Sequence, residues 1–438
     1  MPLRLLFMLI LLLLPLPVLA QAVHPLQVDI HTTSDRALLQ FSGLALRVVR
    51  RSVQSEGPGL QGEMQALELK KAAWDTSPAS LHADLLVTPT DGPLTLKLER
   101  GCPGLTRVTL KSRGKIVFDQ TWPLADPKKP QPPQVILPLR ADQVLAETPV
   151  PRKAFPQKFL AFYYGWYARP EGPAHKWLHW NPAREDHDAT HTPQLGWYDS
   201  ADVQIITQQL DWAQQAGLDG FVLSWWNEPF DKIVVEKLLA ETDKRQFEVG
   251  LYLESAATPQ LLHAQLEQLV QLAARHPSVL KVEGRPVAFL YTRILSQLGP
   301  AGLREGMAGL KVFLIGDEMT PQTLDVLDGA HTYLGADVPD KYQGQLLELQ
   351  GKARLEDKLL VANVVPGFDD THIRSPGRIE HRLEGLQYRS YWASAKRADW
   401  VVLTSWNEWH EGSEIEPSVE FGDKYLQMTK ELVDKWRR

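Results

Sequence analysis

Two glutamates near the C-terminal end of the chain are the residues best placed to do chemistry. Glu408 and Glu411 stand three positions apart in a turn-like segment, so their side chains can emerge on the same face. At that separation the charge of one raises the pKa of the other, which suits a proton donor. Cleavage of a glycosidic bond ordinarily uses two carboxyl groups, one to protonate the departing oxygen and one to assist at the sugar. Taken alone, such a pair is more often a solvated part of a loop, so the surrounding residues have to decide. Nearby Glu414 and Glu416 are interpreted as surface groups or as supports of the pair.

Aromatic rings accompany the carboxylates at several predicted strand ends. Trp166 follows one predicted strand, Trp225 and Trp226 end the next, and the chain holds 14 tryptophans in all. The apolar C–H face of a pyranose packs on an aromatic ring while its hydroxyls take hydrogen bonds from polar side chains. A single ring is as readily core filler, but clustering at the ends of three strands predicts a glycan ligand.

Other chemistries find less support. No G-x-S-x-G nucleophile elbow and no phosphate-binding loop occur, and the single cysteine, Cys102, lies outside the C-terminal region. His187 and His191 have the i, i+4 spacing of metal ligands, but their loop lacks further spaced ligands, which favours a solvated loop. A net charge of −6 argues against a nucleic-acid partner, because phosphate binding needs a basic surface. No metal or other cofactor is predicted.

The pattern from residue 158 onward predicts the elements that carry these residues. Short apolar runs alternate with longer amphipathic stretches, which is the rhythm of βα units around a parallel sheet. The eight predicted strands cover residues 159–164, 220–225, 249–254, 287–291, 312–316, 330–334, 359–364 and 400–405. The amphipathic stretches include residues 201–216, 259–274, 340–355 and 377–395, and a last helix covers residues 423–436. This number of strands predicts an α/β fold, a (β/α)₈ TIM barrel over residues 158–438, with its active site at the carboxyl ends of the strands. A doubly wound open sheet is the alternative, but no glycine-rich phosphate loop supports it.

Three further segments are predicted before the barrel. Residues 1–20 combine a basic start, an apolar run and a small-residue cleavage site, which predicts a signal peptide, with a retained membrane anchor as the alternative. Residues 21–122 alternate in short runs between turns and predict a small antiparallel accessory β domain, with a sugar-binding module as the alternative. Residues 123–157 are rich in proline and predict an extended linker. An exported chain that cannot form an internal disulfide indicates the periplasm or exterior of a bacterium, without stable membrane insertion once the signal is cleaved.

Three segments of the predicted barrel resemble one enzyme family. They read Thr-Ser-Trp-Asn-Glu-Trp-His-Glu-Gly at 404–412 with Ile-Glu-Pro at 415–417, Phe-Tyr-Tyr-Gly-Trp-Tyr at 162–167, and Phe-Asp-Asp-Thr-His-Ile-Arg at 368–374. The resemblance is to glycoside hydrolase family 99, the endo-acting α-mannosidases and α-mannanases, and it covers residues 158–438. It implies a (β/α)₈ barrel without a metal cofactor and cleavage that retains the anomeric configuration. It also implies that Glu408 deprotonates the substrate's own 2-hydroxyl to form a 1,2-anhydro sugar while Glu411 protonates the departing oxygen. Water then opens that intermediate.

The same resemblance places Tyr164, Trp225 or Trp226, and Glu254 at the sugar subsites. With the other side chains that follow the strands, the predicted substrate-binding residues are Tyr164, Trp166, Trp225, Trp226, Glu254, Tyr291, Asp370, Arg374, Asn407 and His410. The expected function is that of an exported, retaining, endo-acting glycoside hydrolase for an α-linked, α-mannoside-like polysaccharide or oligosaccharide. The alternative is a barrel that binds polysaccharide without cutting it, in cell-envelope or exopolysaccharide assembly. The presence of both carboxylates favours the enzyme.

Overall fold

The computed structural model describes most of the C-terminal region and the strands of the N-terminal region. The described residues are 24–32, 36–42, 44–54, 66–70, 79–89, 94–100, 106–112, 115–122, 134–138, 153–333, 342, 345–346, 349–350, 353, 356–396 and 398–437. The predicted signal peptide, Cys102 and most of the predicted helix over residues 340–355 lie outside them. Within this part of the chain, no helix has the length and apolar character needed to span a membrane.

Contacts divide the chain into two compact units, Met1–Ala154 with Gln350–Lys358, and Phe155–Leu349 with Leu359–Arg438. The described strands of the first unit are β1 (His24–Thr32), β2 (Arg36–Ser42), β3 (Leu44–Gln54), β4 (Ala66–Lys70), β5 (Ala79–Pro89), β6 (Thr95–Arg100), β7 (Thr106–Ser112), β8 (Lys115–Trp122) and β9 (Gln134–Pro138). They form two antiparallel sheets, in the orders β3-β5-β1-β7-β8 and β4-β2-β6-β9. Alternate residues of β1, such as Val28 and Ile30, are fully buried, because successive side chains of a strand point to opposite faces. Buried residues of both sheets join in one apolar cluster.

One part of the predicted linker is instead a strand. Residues Gln134–Pro138 form β9, which pairs with β6 from Thr95↔Pro138 to Glu99↔Gln134. The predicted extended linker over residues 123–157 therefore contributes these five residues to a sheet. Proline tolerates an edge strand, because its missing N–H is then not needed by a neighbour, and β9 is the edge strand of its sheet.

The second unit is a (β/α)₈ barrel. Its elements are β10 (Lys158–Tyr163), α1 (Val203–Gln215), β11 (Gly220–Trp225), α2 (Pro229–Thr242), β12 (Glu248–Leu253), α3 (Pro259–Arg275), β13 (Lys281–Val282), β14 (Arg285–Leu290), α4 (Thr292–Met307), β15 (Phe313–Asp317), α5 (Pro321–Val326), β16 (Gly329–His331), β17 (Leu359–Val364), β18 (Phe368–Asp369), β19 (Ile379–Glu380), a 3₁₀ turn (Leu383–Gly385), α6 (Leu386–Ala395), β20 (Trp400–Leu403) and α7 (Lys424–Trp436). Eight strands pair in parallel in the cyclic order β10-β11-β12-β14-β15-β16-β17-β20, and the β12–β14 pairing closes the ring. This confirms the predicted fold with a strand near each of the eight predicted positions, and it excludes the open sheet.

The barrel strands are apolar because both of their faces are covered. Every residue of β11 is buried, as is typical of a parallel strand between a packed interior and a helical layer. Gly220 opens this strand where space is least, since a Cβ there would lie 2.4 Å from the carbonyl oxygen of Glu248 on β12. Outside the strands, α3 begins at Pro259 with its first turn capped by the Thr258 hydroxyl.

The predicted helix over residues 377–395 is correct only in its second half. α6 begins at Leu386, and Ile379–Glu380 pairs with Phe368–Asp369 as a short hairpin instead. Gly385, at φ 92°, precedes the helix in the left-handed region that glycine adopts readily. The hairpin belongs to the loop that carries Asp370 and Arg374, so it helps to shape the candidate site.

Candidate active site

The predicted site residues lie on loops that leave one end of the barrel. Each follows or ends a parallel strand, and in this fold the carboxyl ends of those strands share one face. Tyr164 and Trp166 follow β10, Trp225 ends β11 and Trp226 follows it, Glu254 follows β12, Tyr291 follows β14, Asp370 and Arg374 lie in the loop after β17, and Asn407, Glu408, His410 and Glu411 follow β20.

The loop after β20 is held in place by its own backbone and by one serine. Ser405 donates its N–H to the Ser413 carbonyl at 2.8 Å and accepts from the N–H of Ile415 at 3.0 Å. The Ser405 hydroxyl also accepts a 2.7 Å hydrogen bond from the N–H of Glu408. These bonds turn the segment back on itself, so that Glu408 and Glu411 are fixed by local geometry.

Asn407 connects this loop to the end of β10. Its side-chain oxygen accepts from the Tyr164 N–H at 2.7 Å, and its amide donates to the Tyr164 carbonyl at 3.0 Å. The amide also donates to the Tyr198 hydroxyl at 3.0 Å, and Asn407 is fully buried. Asn407, a predicted substrate-binding residue, therefore holds the loop after β20 against the end of β10.

Glu408 is 3% exposed, and the described residues that contact its carboxylate do so through one oxygen. Its Oε1 accepts from the backbone N–H of His410 at 3.3 Å and lies 3.4 Å from Nδ1 of the same histidine. The other ring nitrogen of His410 lies 2.7 Å from the carbonyl of His179. His410 thus contacts a candidate catalytic carboxylate, whereas the sequence predicts a contact with substrate.

Glu411 is held by a tyrosine and an arginine. Tyr333 donates its hydroxyl to Oε2 at 3.0 Å, and Arg374 donates to Oε1 at 3.0 Å. Burial, followed by the charge of Glu408, raises the pKa of Glu411 to about 7, against the opposing effect of Arg374. The expected influence of one glutamate on the other is present, although burial contributes more.

A third buried carboxyl group stands nearby. Glu254 accepts a 2.7 Å hydrogen bond from the Ser224 hydroxyl and is 6% exposed. Burial raises the pKa of Glu254 to about 8, and the charges of Glu408 and Asp317 act in the same direction. At neutral pH this group therefore carries a proton for much of the time, and it can donate as well as accept hydrogen bonds.

Arg374 links the loop after β18 to the site. It donates to Asp370 at 2.5 Å as well as to Glu411, and the backbone N–H of Arg378 donates to Asp370 at 2.6 Å. Burial alone would raise the pKa of Asp370, but these two donors outweigh it and the pKa is lowered. Asp370 is therefore a charged anchor that positions Arg374.

The predicted aromatic contacts separate into exposed and buried rings. Trp226 is 37% exposed, whereas Trp225 is only 1% exposed and belongs to the core. Trp166 stacks on the ring of His179 at a centroid distance of 4.3 Å, and it lines with Trp226 a cavity of about 440 Å³. Tyr291 is half-buried, and the guanidinium of Arg293 lies over both Tyr291 and Trp226. The arrangement presents ring faces beside carboxylates.

Sequence reasoning missed Tyr333, which donates to Glu411 and accepts a 2.8 Å hydrogen bond from the Tyr164 hydroxyl. The predicted sixth strand, 330–334, includes this residue, but β16 ends at His331, and Tyr333 therefore follows the strand. Its backbone N–H is fixed by Asp317 at 2.7 Å. A predicted sixth strand that ended at His331 would have left Tyr333 among the residues that follow a strand, and hence among the candidate site residues.

The histidines considered for a metal have other partners. His191 lies 3.0 Å from the Glu414 carboxylate, and His187 packs against Trp197 at a ring-centroid distance of 4.6 Å. No group of three or more metal-binding side chains occurs among the residues that the structure describes.

Comparison with known proteins identifies the barrel. The model of glycosyl hydrolase family 99 matches residues 155–433. The chain belongs to glycoside hydrolase family 99. This family member is therefore a glycoside hydrolase. Family membership thus favours the enzyme over the alternative of a barrel that binds polysaccharide without cutting it.

Named relatives agree with this family. Glycoprotein endo-α-1,2-mannosidase of Mus musculus is 25% identical over 340 residues, which are 65% of this chain and 72% of that protein. The endo-α-1,2-mannosidase-like protein of Homo sapiens is 24% identical over 315 residues, 59% of this chain and 68% of that protein. The solved structure of the family 99 endo-α-mannosidase from Bacteroides thetaiotaomicron aligns with a TM-score of 0.55 at 26% identity, over 64% of this chain and 97% of that one.

Proposed function

We propose that this hydrolase is an exported, retaining, endo-acting enzyme that cleaves α-mannosidic bonds within a polysaccharide or oligosaccharide. The endo-α-mannosidase names of its relatives support the substrate class. The observation that carries the proposal is the pair of glutamates after β20. Glu408 is buried and has an oxygen that accepts from no described residue, and Glu411 is partly exposed and has its pKa raised to about 7. Export rests on the signal sequence at residues 1–20.

In the proposed mechanism, Glu408 is the base and Glu411 the acid. Glu408 takes the proton of the 2-hydroxyl, the freed oxygen attacks the anomeric carbon, and the glycosidic C–O bond breaks as Glu411 gives its proton to the departing oxygen. Water then attacks the anomeric carbon of the 1,2-anhydro sugar, and the bond between that carbon and the 2-oxygen breaks. Glu411, now a carboxylate, takes the proton of that water, while Glu408 returns its proton to the 2-oxygen. Two displacements at one carbon retain its configuration.

The raised pKa of Glu411 suits its proposed role. A general acid works best when its pKa lies near the working pH, because it must both hold a proton and release it. A solvated glutamate would be almost fully ionised at pH 7. Burial of Glu411 beside the charge of Glu408 keeps a large share of it protonated there.

Substrate contacts are proposed for the groups around this pair. Trp226 and Trp166 offer ring faces for sugar packing, and Tyr291 stands at the same end of the barrel. Glu254 can hydrogen-bond a sugar hydroxyl. Arg374 stands next to the proposed acid, which suits a contact with the departing part of the glycan.

Product analysis tests the proposal. The purified chain is incubated with α-mannan, α-glucan and bacterial exopolysaccharides, and product size and anomeric configuration are followed by chromatography and NMR. We expect α-mannan to give oligosaccharides whose newly formed ends first appear with the α-configuration, and the Glu408→Gln protein to give none. Exclusive release of monosaccharide would contradict the proposed endo-acting cleavage. Inversion of the anomeric configuration would contradict the proposed retaining mechanism. Cleavage of α-glucan alone would contradict the substrate class.

A further inference from the structure

We propose that His410 is a positioning residue that holds one carboxylate oxygen of Glu408 and leaves the other oxygen free to accept the proton of the sugar. The inference rests on the proposed role of Glu408 as the base, and it concerns how that base is aimed. The sequence predicts His410 as a substrate contact, so this role is a different one.

The contacts of His410 decide which ring nitrogen carries a hydrogen. Nε2 lies 2.7 Å from the carbonyl oxygen of His179, and because a carbonyl can only accept, Nε2 must be protonated. Nδ1 lies 3.4 Å from Oε1 of Glu408. A neutral ring would therefore turn the lone pair of Nδ1 toward a carboxylate, whereas an imidazolium turns an N–H toward it. The geometry favours the imidazolium while Glu408 is ionised.

The groups around the ring support this charge state. Tyr167 stacks on His410 at a centroid distance of 5.7 Å, and its phenol stays neutral because burial raises its pKa. Burial, and then the charge of His410, lower the pKa of His179 to about 4, so the two histidines do not compete for a proton near pH 7. Burial opposes protonation of His410 as well. The Glu408 carboxylate outweighs it, with help from Asp188, and raises the pKa of His410.

The two oxygens of Glu408 thus differ. Oε1 receives the backbone N–H of His410 at 3.3 Å and faces the ring nitrogen, while no described residue donates a hydrogen bond to Oε2. The imidazolium fixes the plane of the carboxylate and balances its charge in a buried site. Oε2 is then the atom that takes the proton from the sugar.

Two amide variants separate the contacts of the ring. In His410→Asn the amide reaches about as far as Nδ1 and can still donate to Glu408, whereas in His410→Gln it reaches about as far as Nε2 and keeps only the His179 contact. We expect kcat to fall about 10- to 100-fold in His410→Gln, the usual worth of a hydrogen bond to a charged group, and less in His410→Asn. KM should change little in both.

The pH dependence supplies a readout that a purely structural role would not move. With an α-mannosyl fluoride, which leaves without help from Glu411, kcat/KM of the unaltered enzyme should fall as the pH rises through the pKa of His410. That fall should vanish in both variants, because an amide does not titrate. With a natural glycan, the fall that belongs to Glu411 should remain.

His263→Asn is the matched control. Its ring has the same kinds of neighbour on the outside of the barrel, with Nδ1 3.1 Å from the Gly306 carbonyl and Nε2 3.7 Å from the Glu267 carboxylate. This variant should keep the kinetics of the unaltered enzyme. Equal loss in the two His410 variants with an unchanged pH profile would overturn the proposal. If neither variant folds, a fluoride profile of the unaltered enzyme that stays flat from neutral to alkaline pH would overturn it as well. Absence of any α-mannosidase activity in the unaltered enzyme would instead refute the proposed function.

Discussion

The segment after β20 carries four glutamates, Glu408 and Glu411 in its first half and Glu414 and Glu416 in its second half. The two halves surround their carboxylates in different ways. In the second half every oxygen has a protein partner. Oε1 of Glu414 pairs with Arg382 at 2.6 Å and its Oε2 lies 3.2 Å from Nδ1 of His191, and Glu416 accepts from Gln209 at 3.1 Å and from Tyr198 at 3.0 Å. In the first half, Glu408 keeps Oε2 without a described donor, and Glu411 is held by Arg374 and Tyr333 at the edge of solvent.

Both members of the second pair are buried, at 1% and 2% exposure. Of the two sequence interpretations for Glu414 and Glu416, surface groups or supports, the structure favours supports. Burial alone would raise the pKa of Glu414, but the charges of Arg382 and His191 outweigh it and lower the pKa. Saturation with donors thus distinguishes Glu414 and Glu416 from Glu408. Glu411 also has a donor on each oxygen, and it differs from the second pair by its partial exposure, with a side chain 14% exposed.

The largest expected effect separates the two members of the first pair. Glu408→Gln should lower kcat/KM by about 10² to 10⁴ on natural glycans and on aryl or fluoride glycosides alike, because a good leaving group cannot replace the base. Glu411→Gln should be as damaging on natural glycans but much less so on glycosides that leave unaided. Steady-state kinetics on both substrate types measures the contrast.

Glu414→Gln provides the comparison from the second pair. It should lower stability without making activity depend on the leaving group. Equal sensitivity of Glu408→Gln and Glu411→Gln to the leaving group, or brisk turnover of a 2-deoxy substrate, would be incompatible with the roles assigned here.

The next effect tests the buried ion pair. Arg382→Met should lower the free energy of unfolding by about 3–5 kcal/mol, because it leaves Glu414 charged in the interior without its arginine partner. The loss should be full above the ordinary pKa of a glutamate. It should shrink as the pH falls and Glu414 becomes protonated, since the lowered pKa of the native pair contributes stability only where the unfolded glutamate is ionised.

Urea unfolding at several pH values measures this change. The control is Arg389→Met, which removes an exposed pair with Glu431 and should leave the free energy of unfolding nearly unchanged. A similar, pH-independent loss in both variants would show that the buried pair does not carry the stability of the loop.

A smaller effect tests the support of Glu416. The Tyr198 hydroxyl accepts from Asn407 and from the Trp409 indole, both at 3.0 Å, and donates to Glu416. Tyr198→Phe should cost about 1–3 kcal/mol of stability by leaving buried polar groups without a partner. Thermal unfolding compares it with Tyr388→Phe, whose buried hydroxyl lies 2.8 Å from the Thr429 hydroxyl and whose loss should cost about 1 kcal/mol. If Tyr198→Phe loses no more stability than Tyr388→Phe, Tyr198 does not support Glu416.

The smallest effect is a displacement of the pH profile. Activity on natural glycans should fall as the pH rises through the pKa of Glu411, about 7, because the acid must be protonated. Arg374 lowers that pKa, so Arg374→Gln should move the fall to higher pH. Movement to lower pH, or none, in kcat/KM profiles would show that Arg374 does not act on the acid.

The sequence by itself determined the scaffold and the family. The eight barrel strands are confirmed near the predicted positions because a parallel strand is apolar on both faces, which a local run of residues reveals. Membership of family 99 is confirmed as well. The catalytic and substrate-binding roles of the twelve named residues remain predictions, although the structure places all of them at the ends of the strands or on the loops that follow.

Only the tertiary structure decided which of these side chains support the site through internal contacts and which are accessible to a ligand. Asn407 meets Tyr164 across 243 positions, and Tyr333 meets Glu411 across 78. No local pattern records such pairs, because closure of the barrel brings them together. Burial is decided in the same way: Trp225 and Trp226 are adjacent in sequence, yet Trp225 ends a strand that is covered on both faces, whereas Trp226 lies in the loop beyond it and is exposed. The pKa of a carboxyl group depends on that burial and on its charged neighbours, and both exist only in the folded chain.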